Sequence, residues 1–75
     1  MRYLTGDEIQ IGDQVLVDRS NGVVVCVIDT EQYSEEHPKE QWGYLKVGAM
    51  VETDEMGLVH YPEPDEDLVL VARKG

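Results

Sequence analysis

Seventy-five residues allow one domain, residues 1–75, near the lower limit at which a chain buries enough apolar surface to fold alone, and exclude a second domain or a deep catalytic cleft. Sixteen acids against six bases leave a formal charge of −10, which repels a phosphate backbone or an anionic membrane surface and attracts a basic protein surface or a cation. Hydrophobic content is an ordinary 41%, but Phe is absent and Val abundant, so the core is expected to be β-branched and the elements strands.

In chain order, "LTGDEIQIGD" places Thr5 and Glu8 at capping-box spacing, which predicts a short helical turn over residues 5–11. Leu4, Ile9 and Ile11 are its expected anchors. "QVLVD" alternates with Val15 and Val17 on one face, and Asn21-Gly22 is the strongest hairpin signal in the chain, because both residues tolerate positive φ. "VVVCVID" is a continuous apolar run, which predicts a central strand buried on both faces or strongly curved. The pattern then dissolves into "YSEEHPKEQWGYL", residues 33–45, with three of the five aromatic residues. It resumes at "VGAMVETD", turns at "DEMG" and continues as "LVHY". "PEPDED" is a rigid acidic connector, since proline cannot donate a ladder hydrogen bond, and "LVLVAR" closes the chain.

Five short strands with turn signals between them predict an all-β fold. The expected form is a small five-stranded SH3-like barrel with a short N-terminal helical turn and one long loop, because closure removes edges that so small a chain leaves exposed. An OB-fold is the second choice, but it needs more residues and a helix between its strands. An uncapped edge such as "LVHY" could also pair with a second copy, so the oligomeric state stays open.

"GDQVLVDRSNGVVVCVID" resembles SH3-like barrels of the KOW and Tudor type, in which a Gly-Asp turn starts the first strand and a Gly-ended turn the second. The whole chain, from "LTGDEIQIGD" through "QWGYL" and "GLVHY" to "EDLVLVAR", is also similar to a group of short acidic bacterial proteins of unsettled function, and the resemblance implies a role as immunity partner of a secreted toxin for some of that group. The barrel resemblance does not carry KOW function, because the bases are scattered at Arg2, Arg19, Lys39, Lys46, Arg73 and Lys74 instead of lining one strand face. Nor does it carry proline-motif binding, since a Tyr-rich signature after the first strand is missing.

Catalytic chemistry finds little support. His37, His60 and Cys26 form no metal-ligand spacing. The lone Cys26 is expected to be a small buried hydrophobe in a strand, and it excludes an internal disulfide. His60 is expected to be a partly buried or surface strand residue, and His37 solvated. Ser20 in the predicted hairpin turn, Ser34 in the acidic loop and Cys26 in the core occupy no nucleophile elbow. No catalytic residue, metal site or cofactor is therefore predicted. No run approaches the ~20 apolar residues of a membrane span and no signal-peptide core opens the chain, so a cytoplasmic protein is expected.

Glu52, Asp54, Glu55, Glu63, Asp65, Glu66 and Asp67 put seven acids into residues 52–67 with no Lys or Arg between them. They read either as a solvated rim that protects the edges or as a face for a basic partner. Calcium is disfavoured because neither "PEPDED" nor "ETDEMG" matches a calcium loop. The leading expectation is a non-enzymatic module binding a basic protein, such as a toxin it would cover as an immunity protein or inhibitor. The expected contacts are Tyr33, Glu35, Glu36, Trp42 and Tyr44, with Glu63, Asp65, Glu66 and Asp67 as a second patch. The rival readings are a structural or small-molecule-sensing barrel with Trp42 as lid, a DNA mimic, and a weak nucleic-acid-binding barrel. Within the long loop, Trp42 and Leu45 of "QWGYL" are expected to anchor against the barrel, and "YSEEHPKE", with only Tyr33 to bury, to be the exposed contact loop.

Overall fold

The structure, a computed structural model, describes residues 2–34, 39–63 and 65–73, and for residues 41–43 the backbone course alone. Six strands form one antiparallel sheet: β1 (Gln14–Val17), β2 (Ser20–Val27), β3 (Gln32–Tyr33), β4 (Ala49–Thr53), β5 (Gly57–Tyr61) and β6 (Leu68–Ala72). The order is β5-β4-β2-β1-β6, with β3 pairing the end of β2. The protein is a small all-β domain. Between β3 and β4 lie one helical turn, α1 (Lys39–Trp42), and the 3₁₀ turn Gly43–Leu45; a second 3₁₀ turn, Ile28–Thr30, follows β2.

The five expected strands are thus joined by a sixth, and closure is not observed. Among the described residues β5 and β6 do not pair, so both remain edges of an open hydrogen-bonded sheet. The apolar run of β2 is the central strand, flanked by β1, β3 and β4.

The first hairpin turns at Asp18-Arg19, not at Asn21-Gly22. Val17 pairs with Ser20, and Asp18 and Arg19 take φ of 46° and 75°, the two positive values a two-residue turn needs. Ser20 therefore lies in β2 and not in the turn. The inward alternation decides the register. A turn at Asn21-Gly22 would continue β1 through Arg19 in step with buried Val15 and Val17, and so would desolvate a guanidinium. Gly22 serves another purpose: a Cβ there would lie 2.8 Å from Val51 Cγ1 and 3.2 Å from the Glu52 carbonyl, so its absence lets β2 and β4 approach.

The N-terminal segment also differs from expectation. No helical turn forms over residues 5–11. The Tyr3 amide donates to the Asp7 carbonyl (2.8 Å), the Gly6 amide to the Tyr3 carbonyl (2.9 Å), and an isolated bridge joins Arg2 to Glu8. Gly6, at φ +96°, takes a conformation no right-handed helix contains, and Thr5 Oγ1 donates to the Asp7 carboxylate (3.1 Å) instead of capping. Ile9 is fully buried and Ile11 packs on the core as expected, but Leu4 is 64% exposed and Tyr3 takes its place as anchor.

The main core lies on the inner face: Ile9, Val15, Val17, Val24, Val27, Ala49, Val51, Tyr61 and Leu68, closed by Tyr3. Full burial of each large aliphatic contributes about 1.5–3 kcal/mol, which makes this cluster the chief source of stability. One polar group is built into it. The Tyr3 hydroxyl donates to Asp13 Oδ2 at 2.7 Å, and the same oxygen accepts the Gln10 amide at 3.0 Å, so a buried carboxylate is satisfied while it ties the N-terminal segment to the sheet. Burial, and after it the bond to Asp13, hold the Tyr3 hydroxyl well above the usual tyrosine range.

Candidate functional site

Strand alternation sends every second residue of the sheet to its outer face, away from the main core. That face reads as rows across the strands. One row runs His60, Met50, Cys26, Tyr33. The next runs Leu58, Glu52, Val23, Gln14. The last runs Asn21, Leu16, Val69.

The first row is covered by the chain's own Ile28 and Leu45, which flank β3 in sequence. Between Val24 and Cys26 the β2–β4 register shifts, so Val25 is a bulge and Cys26 faces outward opposite Met50. Cys26, Ile28 and Met50 form a second buried cluster, with Val25, Tyr33 and Leu45 packed against it. The covering segment is closed at its neck, where the Ile28 amide donates to the Gly48 carbonyl (2.8 Å) and the Gly48 amide to Asp29 Oδ1 (2.8 Å). His60 pins its return: Nε2 lies 2.9 Å from the Val47 carbonyl, which can only accept, so that nitrogen carries the proton. Lys39 Nζ meets Glu31 Oε1 at 2.7 Å, which holds the Lys39 ammonium above and the Glu31 carboxyl below their ordinary values.

The remaining rows are left bare. Leu16 (36%), Leu58 (37%), Val23 (42%), Val69 (47%) and Val71 (58%) are exposed. Gln14 pairs with Ala72 and Val15 with Leu70, so Val71 is an extra residue that the pairing skips. It borders a shallow groove of about 190 Å³ lined by Gln14, Asn21, Val23, Asp54 and Val71, with Val15 and Gly22 as its floor. The bare face also carries acids. Glu52 stands in its first row beside Val23, and Asp54 is held next to Asn21 by its amide, which donates to the Asn21 carbonyl (3.0 Å).

Just beyond Asn21 and Leu16, where β1 stops and β6 starts, the Asp18 amide donates to the Asp67 carbonyl (3.3 Å), the Asp67 amide to Asp65 Oδ1 (2.9 Å) and the Leu68 amide to the Asp65 carbonyl (3.1 Å). Burial, and beyond it the charges of Asp65, Asp67 and Asp18, raise the Tyr61 hydroxyl above its ordinary value. Three carboxylates from two chain segments therefore act on one phenol.

The expected contact residues fall into separate regions. Tyr33 is half-buried, a strand residue paired with Cys26, whereas Tyr44 is exposed on the covering segment. Glu35 and Glu36, like His37, lie outside the described residues, as does the side chain of Trp42. Leu45 anchors the segment to the second cluster as expected. Glu63, Asp65, Glu66 and Asp67 are exposed in the β5–β6 connector. No hydrogen bond or ion pair among the described residues joins them to Tyr33 or Tyr44. Sequence reasoning missed Asp18, which only the true turn position brings to Asp67, and it missed the bare face, whose outward residues are as apolar as inward ones.

Cys26 is fully buried, and burial pushes its thiol pKa up, which keeps it protonated and unreactive. Among the described residues no group of three His, Cys, Asp or Glu side chains is arranged to hold a metal ion. No helix among them is long and apolar enough to cross a membrane. Comparison with protein-family models, with curated proteins and with solved structures finds no match.

Proposed function

We propose that this chain is a non-enzymatic, acidic protein-binding module that covers a basic site on a partner, in the manner of an immunity protein or small inhibitor. The observation that carries the reading is the gathering of Asp18, Asp65 and Asp67 at one end of the sheet, beside exposed Glu63 and Glu66, in a molecule of net charge −10. A field of one sign speeds encounter with a basic surface and selects against acidic ones. The order hairpin, long excursion, hairpin and final strand returning to β1 supports an SH3-like arrangement. The groove between Val23 and Val71, about 190 Å³, is below the roughly 300–1,000 Å³ of ordinary ligand pockets, and the Trp42 side chain that the small-molecule rival uses as a lid lies outside the described residues.

The test is a binding measurement on a partner co-purified from the source cells at low salt. Affinity should fall steeply with added salt, and Glu63→Lys with Glu66→Lys should weaken it about tenfold, equal to ~1.4 kcal/mol. These two side chains are exposed, so their reversal leaves the fold intact. A partner held equally well at high salt, or indifferent to both reversals, contradicts the reading.

A further inference from the structure

The outer face poses a question of cover. Ile28 and Leu45 cover the row that contains Cys26 and Met50, yet nothing among the described residues covers Leu16, Val23, Val69 and Val71 on the same side of the same sheet. Exposed aliphatic side chains set beside Glu52 and bordered by Asp54 offer both an apolar contact and a charged one to a partner.

We infer that this bare face is the docking surface for a basic segment of the partner, with an aliphatic side chain seated in the groove between Val23 and Val71 and Lys or Arg side chains on Asp54 and Glu52. The inference rests on the reading of the chain as a binder of basic proteins and adds to it where the partner sits. Charge complementarity selects this occupant. No cation among the described residues pairs with Glu52 or Asp54; the ion pairs they contain are Arg2 with Glu8 and Lys39 with Glu31. Arg73 is engaged elsewhere, donating to the Glu8 carbonyl at 2.7 Å. A second copy of this chain would bring a further charge of −10, with its own Glu52 and Asp54, against the same face. The groove takes one side chain: its floor is the strand surface at Val15 and Gly22, and its far wall is Val71, pushed out by the bulge.

The experiment uses the intact, isotope-labelled protein and two capped five-residue probes, Lys-Leu-Lys-Leu-Lys and Lys-Ser-Lys-Ser-Lys, with backbone amide shifts followed at low salt. The leucine peptide should shift Gln14, Asn21, Val23, Asp54 and Val71 saturably, and bind about tenfold tighter than the serine peptide. Val23→Ser with Val71→Ser, both at exposed positions, should remove that difference while the rest of the spectrum stays unchanged. If both peptides bind equally and shift only Asp18 and residues 63–67, the charge reading stands and the docking face is wrong. If neither peptide binds, both fall. If the face resonances move with protein concentration in the absence of peptide, a second copy is the occupant and the inference is overturned.

Discussion

The two halves of the outer sheet face are built from similar residues and meet opposite fates. Around Cys26 and Met50 the row is covered by Ile28 and Leu45, from the chain between β2 and β4, with the neck held by Asp29 and Gly48. Around Leu16, Val23, Val69 and Val71 the strands carry the same kinds of side chain into solvent, with Glu52 beside Val23. A small domain gains most by burying every large apolar group it has, and among the described residues only one half of this face does so, which is the contrast the proposed docking surface rests on.

The sharpest way to break this contrast is at the neck. Gly48 has φ +97° and packs directly against the Tyr61 carbonyl and Pro62 Cα, so a Cβ has no room and the backbone is strained for any other residue. Gly48→Ala should cost about 3 kcal/mol or more, enough to unfold much of so small a domain, as read from a denaturant midpoint. A midpoint close to the parent's would mean that the neck does not hold the cover.

Next in size is the comparison of one residue from each half. Met50 is buried under the covering segment, so Met50→Ala should destabilise by about 2–5 kcal/mol. Val71→Ser in the bare half should stay within about 0.5 kcal/mol of the parent. Equal costs at the two positions would erase the distinction between sealed and bare.

A smaller effect is expected from pH. The hydroxyls of Tyr3 and Tyr61 are both raised in the folded state, whereas in the unfolded chain they ionise near 10.0. The unfolded state therefore loses protons first: stability from this source is complete below pH 10.0 and falls as pH rises above it through the folded values. Tyr3→Phe should flatten that alkaline decline. It should also cost about 1–3 kcal/mol at neutral pH, because buried Asp13 loses one of its donors. An alkaline slope identical in parent and variant would show that Tyr3 ionises as easily folded as unfolded.

Much of the sheet could be read from alternation and turn residues. The five main strands and the centrality of the Val-rich run follow from patterns that local chemistry imposes, and the burial of Cys26 follows from its place in that run. What escaped reading depends on register. Asn21-Gly22 is the stronger local turn signal, but it loses to Asp18-Arg19 because only the latter keeps Arg19 out of the core. Thr5 and Glu8 have capping-box spacing, yet Gly6 and the Tyr3–Asp13 bond favour a tight loop. The bulges at Val25 and Val71 leave no mark in a run of valines, although the first turns Cys26 outward to be covered and the second builds a wall of the groove. For the same reason the bare face was hidden: Val23 and Val24 are alike in composition and differ only in which side of the sheet they face. The acidic connector was legible as a charge run, but its partnership with Asp18 was not, since that depends on where the hairpin turns.

The division of the outer face can be measured directly by side-chain paramagnetic relaxation from a neutral gadolinium chelate in solution. The account predicts strong relaxation of the Leu16, Val23, Val69 and Val71 methyls, and a Met50 methyl as protected as those of Val24 and Val51 in the main core. A Met50 methyl relaxed as strongly as Val71, or a Val71 methyl as protected as Val51, would contradict it.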